Sequence, residues 1–417
     1  MKLTKLSQLF LVSTIGLALA SLLTACQLVT IDYVYVASSA SNGTDGDGQI
    51  YAYAADAESG ALRTGPATVS SGGIDPVAMA VTSNFYNLYV ANAGSDSVVH
   101  FSVNDVGVLA PKDTVTLASA PVSIAVSPAN NSLFAVSLAV SGATSPTLTE
   151  YSLSSPDGTI GSPAATVSLT LPGYPTDTLV PTGVTVLANA NAVYATAYDQ
   201  SAYNPGGSTT SNANPGWIFG FTIASNGALA PLPGSPYQAG VSPSALVSDP
   251  TSRFIYVTDF ASNQLIGYQV SSTDQLNFMA YGPFKTGSEP SSVAVDPRGI
   301  FIYVSNSLDS TVSAYTISLP IGNPSAVVNV TGSPTNSTDP KPVSITIDPS
   351  LGRYVYTANY DGNSVSGFRL NPNTGALTMT QATPYPTGAK PTAIIAVPHG
   401  NHATQTIQAG AVKPTLP

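Results

Sequence analysis

Beyond its first two dozen residues the chain alternates apolar and polar positions in short runs, separated by clusters of Gly, Pro, Asn, Asp and Ser. A period of two over such lengths predicts β-strands, and the punctuation predicts tight turns between them. The runs also repeat. A proline, an apolar alternation, a turn and a second strand ending in Tyr-Val or similar recur along the chain. The clearest copies are Pro290-Ser-Ser-Val-Ala-Val-Asp-Pro297 followed by Phe301-Ile-Tyr-Val-Ser-Asn306, and Pro342-Val-Ser-Ile-Thr-Ile-Asp-Pro349 followed by Tyr354-Val-Tyr-Thr-Ala-Asn359. Others begin at Pro76, Pro121, Pro181 and Pro243.

The two ends of the repeat are incomplete in complementary ways. Pro391-Thr-Ala-Ile-Ile-Ala-Val397 has a first strand without a second, and Tyr33-Val-Tyr-Val-Ala37 is a second strand without a first. Pairing Ala393 to Val397 with Tyr33 to Ala37 completes seven units. The expected fold is therefore all-β: a seven-bladed β-propeller closed by pairing of the N- and C-terminal strands, which leaves only short, protected edges. Tyr33 to Val397 is 365 residues, about 52 per blade, enough for four strands and their connections.

A third element follows each second strand. Asn92, Asp259, Asn306 and Asn359 are followed six residues later by Val98, Leu265, Val312 and Val365, and nine later by Phe101, Tyr268, Tyr315 and Phe368. A spacing of three puts the last two on opposite faces of a strand, one toward each neighbouring blade. Gly-x-Leu turns such as Gly60-Ala-Leu62, Gly227-Ala-Leu229 and Gly375-Ala-Leu377 lead into the outermost strand. Seven copies in register resemble the lactonase-like seven-bladed propellers, and the Tyr-Val-x-Asn units are similar to YVTN repeats. The resemblance spans about Tyr33 to Val397. It implies a central channel, and a lactone hydrolase (6-phosphogluconolactonase-like) as one activity to weigh.

The leader changes where the propeller is expected to work. Lys2 and Lys5 precede an apolar run from about Leu9, and Leu23-Thr24-Ala25-Cys26 resembles the bacterial lipobox. Leu9 to Leu23 is too short for a membrane span, which takes about 20 residues. The expected organisation is a lipoprotein signal peptide over 1–25, a lipidated tether over 26–32, the propeller over 33–397 and a loose tail over 398–417. Acylation of Cys26 would attach the chain to a membrane, and Gln27 points to the outer membrane in a diderm envelope. Cys26 is also the only cysteine, which removes disulfides, thiolate metal sites and a cysteine nucleophile together.

Charge narrows the partners. Only 8% of residues are charged, against about 25% in an ordinary soluble domain. The net charge of −10 becomes about −12 once Lys2 and Lys5 leave with the signal peptide. No Lys/Arg cluster tracks phosphates, so nucleic acid is not an expected partner. A monomer that meets a small molecule, a glycan or an envelope protein is expected instead.

Candidate site residues follow from blade geometry. The loop leading into each first strand opens on the same face as the loop after the second strand. Before the blade prolines stand Asp75, Ala120, Val180, Ser242, Glu289, Lys341 and Lys390, four of them charged. Asp75, Glu289, Lys341 and Lys390 are thus candidate ligand-binding residues at one channel mouth. Asn92, Asp259, Asn306 and Asn359 also fall near that rim, although turn chemistry explains them. Blade four inserts Ala197 to Gly216, ahead of the only tryptophan, and Tyr198, Tyr203 and Trp217 offer aromatic faces to a sugar or an aromatic ring. The alternative for Trp217 is a core position in a third strand.

Lactone chemistry asks for a base beside a cation that holds the oxyanion. His100 falls inside a third strand, Glu58 in an outer turn and Glu150 in a third strand; His399 and His402 follow the last strand. Arg253, Arg298 and Arg353 fall in turns on the opposite face. Glu289 with Lys341 or Lys390 is the one base-plus-cation candidate, so a binding or scaffold module is expected ahead of a hydrolase with an atypical site. Asp45-Gly-Asp47-Gly48 lacks the remaining ligands of a calcium loop and predicts a hairpin turn, so no metal or other cofactor is expected.

Overall fold

A computed structural model describes residues 29–39, 46–174, 176–203, 214–318, 326–330 and 336–400. The expected signal peptide, Cys26, Asp45, His402 and most of the expected C-terminal tail lie outside these residues. Seven antiparallel sheets form a ring, each running from an inner strand to the rim. The inner strands are Pro391–Pro398, Pro76–Val81, Pro121–Val126, Leu179–Val186, Pro243–Ser248, Pro290–Val295 and Pro342–Ile347, in blades one to seven. Each inner strand neighbours the next around the channel, and blade seven meets blade one. The described residues contain no α-helix.

Ring closure has the expected register. Thr30–Ser38, the second strand of blade one, pairs with Pro391–Pro398 so that Tyr33 faces Val397 and Ala37 faces Ala393. On its other edge Thr30–Ser38 pairs with Gln49–Asp56. First and last strands thus share one sheet, and no separate lobe interrupts the ring.

Packing is confined to the seams. Seven apolar clusters occur, one between each pair of neighbouring blades. Val98 packs toward blade three while Phe101 packs toward blade one, and Leu265 and Tyr268 divide in the same way. Alternating side chains of one strand therefore serve two cores, as their spacing requires.

The second-strand tyrosines add a polar tie across these seams. The hydroxyls of Tyr35, Tyr89, Tyr303 and Tyr356 donate to the carbonyls of Gly107, Gly158, Gly375 and Gly60 at 2.6–2.8 Å, and Tyr194 donates to Asp274 O. Each acceptor lies in the turn before the outer strand of the next blade. Tyr256, at the same position in blade five, is buried, and its hydroxyl has no partner among the described residues.

Opposite these tyrosines the third strand carries Ala52, Gly220, Gly267, Ala314 and Gly367 in five blades and His100 in blade two, while in blade three Glu150 stands opposite Phe134 at the same position. The small residue leaves room for a side chain from a broken outer strand, such as Leu232 over Gly220 or Met279 over Gly267. Blades two and three fill that room themselves, and their outer strands, Leu109–Thr116 and Ile160–Ser168, run unbroken. His100 is fully buried; it lies 2.8 Å from Asp113 and 2.9 Å from Asn87, and it stacks on Tyr89.

Candidate functional site

The channel mouth is built on one device used in every blade. A β-bulge follows the blade proline, as between Pro290 and Ser292 opposite Asn306 and Ser305. The extra residue is Thr392, Ser244 or Ser291 in three blades, and its hydroxyl donates to the carbonyl of the next blade's proline: Pro76, Pro290 and Pro342. These bonds link neighbouring inner strands just below the mouth.

All four charged residues before the blade prolines adopt left-handed backbone: Asp75 at φ 53°, Glu289 at 54°, Lys341 at 59° and Lys390 at 55°. Neighbouring turns hold them there. The N–H groups of Glu289 and Lys390 donate to the side chains of Asn263 and Asn363, each 2.8 Å away in the preceding blade. In turn, the carbonyls of Asp75, Glu289 and Lys341 accept from Ala93, Ser307 and Tyr360. The four residues occupy adjacent blades six, seven, one and two, so charge follows an arc of the rim in the order Glu, Lys, Lys, Asp.

The arc does not assemble the acid–base pair. Glu289 is half-buried and accepts from Ser307 Oγ at 3.3 Å. Lys341 instead lies 3.8 Å from Asp361 and over the Tyr360 ring. Among the described residues no ion pair joins Glu289 to Lys341 or Lys390. Arg298 is bound to Asp296 in a turn on the opposite face, His399 lies against Tyr33, and among the described residues no group of three His, Cys, Asp or Glu could hold a metal.

Asn92, Asp259, Asn306 and Asn359 leave the rim altogether, being fully buried. Asp259 accepts from the N–H groups of Val241 and Ser242 and from Gln264, while Asn306 and Asn359 bind hydroxyls of their own third strands. They brace the mouth from beneath.

Blade four splits the three aromatic candidates into two groups. Tyr198 and Tyr203 meet edge to face, 5.9 Å apart. Burial raises the pKa of Tyr203, and the carboxylates of Asp259 and Glu289 raise it further. Trp217 pairs with Ala197 and packs on the core between blades three and four. Its other side lines a cavity of about 570 Å³ with Leu171, Tyr174, Asp177, Asp199 and Gln238. Its Nε1 is buried and has no hydrogen-bond partner among the described residues. Trp217 therefore belongs both to a core and to a cavity.

The cavity contains residues that sequence reasoning passed over. Asp199 is buried and its Oδ1 accepts from Ser201 N at 2.8 Å. Desolvation, the adjacent Asp199 charge and a hydrogen bond between the two carboxyls hold Asp177 above the usual carboxylate range. Tyr174 and Asp177 sit in the long connection ahead of Pro181, and that extra length was the available signal.

Comparisons with known proteins agree with this architecture. Residues 218–402 match the family model described as Lactonase, 7-bladed beta-propeller. No curated protein matches the chain by sequence. Among solved structures, the periplasmic gluconolactonase PpgL of Pseudomonas aeruginosa is 16% identical, with a TM-score of 0.69, covering 88% of this chain and 99% of that one. A protein from Lactobacillus plantarum is 14% identical at a TM-score of 0.67, covering 88% of this chain and 100% of that one. A 6-phosphogluconolactonase candidate from Bacteroides uniformis is 16% identical at 0.69, with 88% and 100% covered. At these identities the likeness is one of fold.

Proposed function

From the premise that the chain is a lactonase-like seven-bladed β-propeller, we propose that it is an exported, lipid-anchored binding module that takes a small polar molecule on its mouth face. The observation that carries this reading is the blade-four cavity, where an aromatic face and polar side chains converge in a space large enough for a metabolite. Export and anchoring rest on the lipobox at Leu23 to Cys26. They accord with a periplasmic relative of the same fold.

The test is a panel of polar metabolites, including sugars and sugar lactones, read by melting temperature. A ligand at a hundred times its Kd adds about 2.7 kcal/mol to the native state. The expected result is a rise for at least one compound that Trp217→Ala diminishes. No rise across the panel would count against the reading.

Lactone hydrolysis is the second reading, favoured by Glu289 standing one blade from Lys341 and two from Lys390 at the mouth. It predicts turnover that Glu289→Gln abolishes. Binding alone predicts that wild type and Glu289→Gln both match the buffer blank.

A further inference from the structure

We propose that the blade-four cavity selects a small organic ammonium ion, held between the Trp217 ring and the paired carboxyls of Asp177 and Asp199. The proposal rests on the binding reading above and names the ligand class of that site.

Charge excludes the opposite kind of ligand. No Lys or Arg is among the described residues that line the cavity, and two Asp are. The chain as a whole carries −10, so its field concentrates cations and repels carboxylates and phosphates. A buried carboxylate beside a second carboxyl is also a repulsive arrangement that only a proton or another cation relieves. A ligand cation seated there would relieve the repulsion between the two side chains.

The walls decide between an organic and an inorganic ion. Calcium takes six to eight oxygen ligands, and magnesium keeps a rigid octahedron of oxygens. This cavity offers two carboxyls, the Gln238 amide and Ser201. Its remaining wall is Trp217, Tyr174, Leu171 and Ala202, which suits the C–H groups of an alkylated ammonium. Aromatic faces attract such cations through the ring quadrupole, most strongly at Trp. At about 570 Å³ the cavity has room for a cation of several carbons.

Trp217 is the only tryptophan in the chain, so emission excited selectively at tryptophan comes from a ring that lines this cavity. The experiment titrates the full chain with choline and, as its neutral isostere, 3,3-dimethylbutan-1-ol, then glucosamine against glucose. A saturable change in emission is expected for the two cations and not for their neutral counterparts. It should weaken about tenfold in Asp177→Asn, whose amide keeps the hydrogen bond to Asp199 but loses the charge. Circular dichroism and melting temperature establish that the variant is folded. Equal response to cation and isostere, or undiminished affinity in folded Asp177→Asn, would overturn the ammonium assignment and leave the binding reading standing. Silence from every cation, together with a neutral compound that raises the melting temperature, has the same meaning. Silence from all compounds in both emission and melting overturns both.

Discussion

Tyr303 and Tyr256 occupy equivalent positions in adjacent blades and make a clean comparison of what one hydroxyl contributes. The Tyr303 hydroxyl serves a carbonyl of the next blade, and removing it leaves that acceptor unpaired. Tyr303→Phe should cost about 1–2 kcal/mol in urea unfolding, whereas Tyr256→Phe, which deletes an unpartnered buried hydroxyl, should be neutral or stabilising. Asp32 behaves differently because its protonation matters. It is fully buried beside Asp348 and Ser350, and burial first, then the Asp348 charge, raises its pKa well above the ordinary value. The folded state thus holds this proton more tightly than the unfolded one. Its contribution is complete below the unfolded carboxyl range near pH ~4 and is lost as pH rises through the folded value. Asp32→Asn should raise the melting temperature at neutral pH, and the gain should vanish as pH falls toward ~4. Neither residue could be judged from sequence alone. The tyrosine pattern was visible, but the carbonyl it reaches lies in another blade, and Asp32 meets Asp348 only once the ring has closed.

At the scale of elements, the turn before each inner strand departs from what its residue types suggest. Charge at Glu289, Lys341 and Lys390 drew attention to the mouth, yet these residues also bear left-handed backbone that L side chains resist. Lys390→Gly should therefore stabilise the fold by up to about 1 kcal/mol, measured by urea midpoint. The third strand of blade two tests the opposite case. Five of its six counterparts carry Gly or Ala in a slot that His100 fills with two polar contacts. His100→Ala empties the slot without breaking the outer strand to refill it. The expected cost is about 2–4 kcal/mol, again by urea unfolding. Strand type and spacing were legible for these elements because alternation alone sets which neighbour a side chain meets. The cavity was not, since Tyr174 and Asp177 belong to a connection outside the repeat and reach Trp217 only through the packing of blade three on blade four.

For the whole molecule, the decisive property is that the two ends of the chain complete each other. The pairing of these two segments was readable in advance because each end lacks what the other supplies, and the structure adds the register, with Tyr33 facing Val397. A chain stopped after Lys390 loses the inner strand of blade one and should fail to show a cooperative melting transition, while one stopped after Gly400 keeps that strand and should retain the transition. If Cys26 carries lipid, Cys26→Ser should move the protein from the membrane to the soluble fraction. Closure would also set the direction of such an anchor. Thr30 begins its strand on the face where Ser350 meets Asp32, and the strand runs from there toward the mouth, where Ser39 bonds to Lys390. Four residues, Cys26 to Val29, stretch no farther than about 14 Å. If Cys26 is acylated, a bilayer held by so short a leash would lie beneath the propeller's underside, and the mouth would look outward into the compartment from which its ligand would arrive.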